Sequence, residues 1–272
     1  MQGALGEKIG EGALADVHAW APGQVVKLFK AGFPRRIPWW EARMTRAAFA
    51  AGAPAPEVLG EVSVEGRFGI VLPRLDGPTL LQALLAGAMT PERAGAILAN
   101  LGLAVHKTPP PPEALALREH MEGSLKLAGD TIPGHFAASL LALIDHLPPT
   151  DGLCHCDLHP GNVIMTAEGP RLIDWAGTLR ASAALDLACS HLILSEILPS
   201  GFGDPERQRA VDAALQSAYA RLAGASLAAQ TAAMEAHLPI VRVFVLLGAG
   251  AAFPALRERM LRRLEEDLSP DI

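Results

Sequence analysis

From His155 to Asn162 the chain reads His-Cys-Asp-Leu-His-Pro-Gly-Asn, and residues 172–175 read Leu-Ile-Asp-Trp. An acid at Asp157 can accept the proton of a substrate hydroxyl. Asn162 and Asp174 offer hard oxygen ligands of the kind that hold Mg2+ against nucleotide phosphates. Either segment alone is common. An acid, an amide and a second acid in this order and spacing form a specific pattern for moving a phosphoryl group.

Three upstream groups fit the same chemistry. Gly10 and Gly12 lie in a turn between two strand-like pieces, where backbone N–H groups can approach phosphate oxygens without side-chain interference. A plain hairpin turn explains the two glycines equally well, and Ala15 stands where a third would strengthen the phosphate reading. A dinucleotide-binding turn would need a helix at once, whereas Val17 to Trp20 lead into the turn Pro22-Gly23. Lys27 sits inside the apolar run Val25-Val26-Lys27-Leu28-Phe29 and needs a partner if buried; Glu41 on the following helix is the candidate. An edge-strand lysine reaching solvent is the alternative. At the end of the apolar run 67–72, the Pro73 carbonyl and the Leu75 N–H could receive an adenine; the bland reading there is a connector.

These groups need a frame to hold them. The first seventy-odd residues alternate β-like runs with turns, and residues 39–51 show helical spacing that stops at Gly52 and Pro54. Thr90-Pro91-Glu92 is a helix start, with Thr as the cap and Pro at the first helical position. That helix is expected to run to about Lys107, where prolines 109–112 form a stiff surface connection. Further helices are expected over 113–128 and 136–146, then a short β-rich insert over 153–173 that carries the motif. Residues 183–268 read as helices broken at 199–203, Gly224 and Pro239. The expected class is α+β: a small antiparallel β-rich lobe over 1–76 and a larger, mostly helical lobe over 77–272. The hinge falls at Pro73 to Gly77.

Composition narrows the classes further. Half of the 272 residues are apolar, enough for a large core. The longest apolar stretch, 240–253, is interrupted by Arg242 and is too short to span a bilayer, so it reads as a buried helix and no membrane partner is expected. The net charge of −6 supplies no polycationic surface, and nucleic acid is not an expected partner. The arginines over 257–263, followed by Glu265, Glu266 and Asp267, read as a solvated helix face with paired charges. Three cysteines, an odd number with two of them only two residues apart, argue for buried thiols rather than disulfides or a metal–thiolate site. With no basic start or apolar run of a leader at the N-terminus, the expected location is cytoplasmic. No pattern sets an oligomeric state.

Taken together, the motif HCDLHPGN and the segment LIDWAG resemble those of the aminoglycoside phosphotransferase and choline kinase-like family of small-molecule kinases. That family shares the two-lobed protein kinase-like fold. The resemblance runs from Gly10 to about Asp186. It implies Asp157 as catalytic base, Asn162 and Asp174 as Mg2+ ligands, and Lys27 with Glu41 at the phosphates of ATP. Trp after the metal Asp and His-Pro-Gly in the loop favour this family over protein kinases, and no Ala-Pro-Glu-like segment follows Asp174. The implied reaction is transfer of the ATP γ-phosphate to a hydroxyl of a small molecule: an aminoglycoside, a choline-like amino alcohol or a sugar. Alternatives are an atypical protein kinase, or a nucleotide-binding regulatory protein without turnover. His155 and His159 are expected to orient the loop, His106 to be a satisfied core residue, and Asp186 to cap a helix or anchor the loop. The acidic residues Glu265, Glu266, Asp267 and Asp271 read as solvated helix-end charges rather than a lure for a cationic acceptor.

Overall fold

The computed structural model describes residues 5–148, 151–197, 204–248 and 253–268. Five antiparallel strands open the chain: β1 (Lys8–Glu11), β2 (Ala15–Ala21), β3 (Gln24–Phe29), β4 (Gly60–Val64) and β5 (Arg67–Pro73), in the spatial order β1-β2-β3-β5-β4. Tight turns set their register. Gly23 turns β2 into β3 at φ +71°, and Glu65-Gly66 joins β4 to β5 with both residues at positive φ, the geometry of a two-residue hairpin. In this register Lys27 lies opposite Val17 on one side and Ile70 on the other, in the middle of the sheet. An edge-strand lysine is therefore ruled out.

One helix, α1 (Arg36–Ala50), packs under the sheet. It begins three residues before the expected 39, because Pro38 is tolerated in a first turn whose N–H groups have no helical partners. Ala15, Phe29, Ala42 and Ile70 form the small core between sheet and helix. Ala15 is thus a core residue of β2.

After β5 the chain is mostly helical: α2 (Leu80–Leu85), α3 (Pro91–Lys107), α4 (Leu117–Ala128) and α5 (Gly134–His146). Thr90 caps α3 by accepting the Arg93 N–H, with Pro91 in the first turn, as its letters predict. Helix α2 went unanticipated, being short. It is fixed by a capping box between Thr79 and Gln82. Helix α4 starts at Leu117 rather than 113, since the prolines hold Ala114 in a turn on the Pro111 carbonyl.

The insert comprises β6 (Gly152–Cys154), β7 (Val163–Thr166), β8 (Gly169–Leu172) and β9 (Leu179–Ala181), paired as β6 with β9 and β7 with β8. Strand β9 lies beyond the expected end at 173. Helices α6 (Ala183–Leu192), α7 (Pro205–Ala223), α8 (Leu227–Glu235), α9 (Leu238–Leu247) and α10 (Pro254–Leu268) complete the lobe, and Ile193–Ile197 continues α6 as a π turn. The expected break at 199–203 lies outside the described residues. The apolar stretch 240–253 is helical only to Leu247, and 249–252 are likewise outside them. Among the described residues no single helix is long and apolar enough to cross a membrane; α8 and α9 pass such a test only as a pair bent by 47°.

Two long helices form the spine of this lobe. At their crossing a Cβ on Gly95 would meet the Ala214 Cβ and the Leu215 nitrogen at 2.5 Å, so α3 and α7 touch backbone to backbone. On α10 the exposed Arg262 and Glu266 pair along the helix as expected of a solvated face, but other charges leave it. Arg259 and Arg263 reach across to Glu196, and Arg242, buried in α9, pairs with Asp267. These are pairs between elements, so Asp267 is not a free helix-end charge; Asp271 lies outside the described residues.

Candidate active site

The cleft between the lobes gathers residues from β3, α1 and the insert. Lys27 Nζ lies 2.5 Å from Glu41 Oε1 and 3.3 Å from Asp174 Oδ2. Burial pulls the Lys27 ammonium down, but the Asp174 and Glu41 carboxylates outweigh it and hold the group above its ordinary value. Burial and the Asp174 charge push Glu41 up, while Lys27 pulls it back. Burial also lifts Asp174, yet the Lys27 ammonium, by its charge and hydrogen bond, brings it below the usual carboxylate range. Lys27 is therefore a fixed cation and Asp174 a fixed anion.

Local backbone aims the second acid. Asp174 adopts φ +68°, ψ +68°, a left-handed conformation uncommon for a residue with a side chain. It precedes a single helical turn, Trp175–Gly177, whose fully buried indole donates to the Leu172 carbonyl at 2.9 Å. From the other lobe, Trp40 Nε1 donates to the Ala176 carbonyl at 3.2 Å. The helix that carries Glu41 is thus tied to the turn that carries Asp174.

The loop from 155 to 162 is held from beneath. Asp186, buried in the first turn of α6, accepts the backbone N–H groups of His155 (3.0 Å) and Cys156 (2.7 Å). His106 Nε2 stands 3.0 Å from the same carboxylate, and its Nδ1 is 2.7 Å from the Tyr219 hydroxyl. Ser182, not Asp186, caps α6, so Asp186 anchors the loop. Ser190 adds a bond to the Leu158 carbonyl at 2.8 Å. Cys156 takes φ +61° where two carboxylate bonds hold the chain. His155 is fully buried: Nδ1 accepts from the Asp157 N–H, Nε2 meets the Ile173 carbonyl at 3.1 Å, and the ring stands edge-on to Trp175. It links the two motif segments and leaves no atom for a substrate.

Asp157 and Asn162 meet at the cleft floor. Asn162 Nδ2 donates to both the Asp157 carbonyl (2.9 Å) and its Oδ2 (2.7 Å). Those two acceptors fix the orientation of the amide and leave Oδ1 as its available oxygen. Asp157 keeps 41 % of its side chain exposed along the cleft. Burial among protein atoms, then the Asp174 charge, push its carboxyl up to about 8, with water in the cleft moderating the lift. Burial and the neighbouring His155 push His159 down to about 4, so it is neutral. An amide oxygen and a carboxylate on one cleft floor are the hard donor set that Mg2+ takes, and the arrangement fits such an ion.

The remaining sequence candidates lie at the edges. Gly10 and Gly12 sit at the β1–β2 hairpin, whose turn closes through a Gly12 N–H bond to the Ala15 carbonyl at 2.8 Å. A Cβ at Gly10 would meet only ordinary contacts, with Val17 carbons at 3.5 and 3.7 Å. The Arg74 N–H bonds the Gly23 carbonyl, and Leu75 beside it makes none of the backbone bonds between described residues. Gly77 was not singled out for its conformation. It takes φ +149°, and a Cβ there would lie 1.9 Å from the Met165 carbonyl oxygen. No local pattern announces an approach from a strand nearly ninety residues away.

The thiols are structural. Cys154, Cys156 and Cys189 are all free. His106, Cys154 and Asp186 cluster within 4.8 Å, but both nitrogens of the ring and both oxygens of the acid already have protein partners.

Comparison with known proteins fits this geometry. A model described as the phosphotransferase enzyme family matches residues 7–225. Curated protein sequences give no match. Among solved structures, a choline/ethanolamine kinase family protein from Mesorhizobium loti is 17% identical with a TM-score of 0.56, over 98% of this chain and 89% of its own. A candidate fructosamine-3-kinase from Haemophilus somnus is 13% identical with a TM-score of 0.66, over 96% and 90%. An aminoglycoside phosphotransferase from Streptomyces rimosus, solved with ADP and streptomycin, is 19% identical with a TM-score of 0.54, over 83% and 90%. All three share the two-lobed kinase-like fold.

Proposed function

Since the chain belongs to the phosphotransferase enzyme family, we propose that it transfers the γ-phosphate of ATP to a hydroxyl of a small molecule, with Mg2+ as cofactor. One observation carries the reading: a lysine of the sheet and an acid of the insert stand 3.3 Å apart, with a second acid and an amide beside them.

Little covalent work falls to the protein in such a transfer; positioning and charge dominate. Lys27, steadied by Glu41, receives the α- and β-phosphates. The glycines at 10 and 12 let backbone amides close over them. The Pro73 carbonyl and Leu75 N–H hold the adenine at the hinge. Asn162 Oδ1 and Asp174 would hold Mg2+, which when bound neutralises charge on the β- and γ-phosphates. Asp157 aligns the acceptor hydroxyl and takes its proton, and its raised affinity for protons suits a base working near neutrality. The Streptomyces enzyme solved with ADP and streptomycin supports an adenine nucleotide and a polyhydroxylated acceptor.

The test is ADP release from Mg·ATP in the presence of separate pools of aminoglycosides, amino alcohols, sugars and a generic protein substrate. Release stimulated by one of the small-molecule pools is expected. Stimulation by the protein substrate alone would overturn the acceptor class, and the absence of release with every pool would overturn the reaction.

A further inference from the structure

His159 lies between Asp157 and Asn162, yet nothing in the reaction as described uses it. Its Nδ1 accepts the Gly161 N–H at 3.1 Å. A ring nitrogen that accepts from a backbone amide carries no proton of its own, so the neutral ring bears its hydrogen on Nε2. The seat is shaped for the ring: a Cβ on residue 161 would come within 2.7 Å of His159 Cε1 and 3.0 Å of Nδ1. Glycine alone leaves the imidazole in place. The side chain is 17% exposed, so one edge reaches the cleft.

This arrangement makes the two oxygens of Asp157 unequal. Oδ2 is taken by the Asn162 amide at 2.7 Å. Oδ1 faces His159 Nε2 across 3.6 Å, too long for a direct hydrogen bond. When Asp157 is ionised, as a base must be, an atom seated beside both has to accept from the N–H and donate to the carboxylate. A hydroxyl does both. A phosphoryl oxygen cannot donate, and next to the ionised Asp157 it would meet like charge.

Resting on the transfer reading above, we propose that His159 is a further catalytic residue: its Nε2–H donates to the oxygen of the acceptor hydroxyl while that hydroxyl donates to Asp157 Oδ1. The two bonds hold the oxygen with a lone pair toward phosphorus. In the transfer step the hydroxyl proton passes to Asp157 Oδ1 and the new O–P bond forms. The bond from the γ-phosphorus to the bridging oxygen breaks, and the electron pair leaves with ADP. His159 keeps its proton throughout.

Two measurements test this role. Nitrogen NMR of imidazole-labelled protein, with the signal assigned by its loss in His159→Gln, is expected to show a resting ring protonated on Nε2 alone. A ring protonated on Nδ1 overturns the proposal without any turnover being needed. The second measurement is hydrolysis of Mg·ATP with water as acceptor, in wild type, His159→Ala, His159→Gln and Asp157→Ala. His159→Ala is expected to lose about tenfold or more in kcat while a fluorescent Mg·ATP analogue binds within about twofold of wild type. His159→Gln, which offers an amide N–H near the same point, is expected to recover most of the rate. A wild-type rate in His159→Ala, or equal losses in the Ala and Gln variants, overturns the role. Failure of the transfer reading looks different: wild type and Asp157→Ala would then release ADP equally, and the role of His159 would fall with it.

Discussion

Asp157, the proposed base, is held at a cost to the fold. Its folded carboxyl keeps a proton up to about 8, whereas an unfolded aspartate releases its proton at about 3.9. Between those values the folded state binds more protons, so the contribution of Asp157 to stability falls as pH rises. Asparagine at 157 has no such slope. With 41% of the side chain exposed, cleft water screens part of the penalty. Asp157→Asn, without metal or nucleotide, is expected to melt about 2–4 °C above wild type at pH 8 and to match it at pH 4. Equal melting temperatures at pH 8, read by calorimetry, would contradict the burial argument. The same variant is expected to lose turnover. At this scale the sequence was informative about placement, because the residues picked out by type and order, Lys27, Glu41, Asp157, Asn162 and Asp174, lie together. The left-handed conformations of Cys156 and Asp174 were not legible, since tertiary bonds impose them on residues that do not favour them.

The helices and strands serve mainly as anchors for one loop. Asp186 in α6 satisfies two backbone amides of that loop and faces His106 from α3. Asp186→Ala leaves those groups buried without a partner and is expected to cost about 3–5 kcal/mol in denaturant unfolding. Asp186→Asn, which retains one acceptor, is expected to lose less; equal losses would show that charge and pairing are not what matter. Gly95 governs a different contact. Gly95→Ala pushes α3 off α7 and is expected to cost about 1–3 kcal/mol, and a neutral result would contradict the backbone-to-backbone packing. Helix α3 was legible to the residue, through a Thr cap and Pro at the start. Helix α2 and strand β9 were not, because elements of six and three residues carry too little periodicity to read.

Among the described residues the two lobes meet through Lys27 with Asp174, Trp40 with Ala176, the Leu172 N–H on the Pro54 carbonyl, Met44 and Ala48 of α1 packed into the larger core, and the close approach of Gly77 to Met165. Gly77→Ala combines an unfavourable φ with a collision at the Met165 carbonyl, so it is expected to cost about 1–3 kcal/mol and to weaken nucleotide binding together with stability. Unchanged affinity in a destabilised variant would separate the hinge from the site. The order of a β-rich part and a helical part was legible from where turn residues give way to helix caps. The pairs of Glu196 with Arg259 and Arg263 were not, because a local reading of charges along one helix cannot see a partner on another.

The central claim is that Lys27 and Asp174 converge on a single Mg-bound triphosphate. Titration calorimetry of a non-hydrolysable ATP analogue, with and without Mg2+, tests it most directly in wild type, Lys27→Ala and Asp174→Ala. Mg2+ is expected to tighten binding to wild type by about tenfold or more, a coupling of about 1.4 kcal/mol. In Asp174→Ala that dependence is expected to vanish, while Lys27→Ala is expected to bind weakly with or without the ion. Full Mg2+ dependence retained in Asp174→Ala would contradict the account.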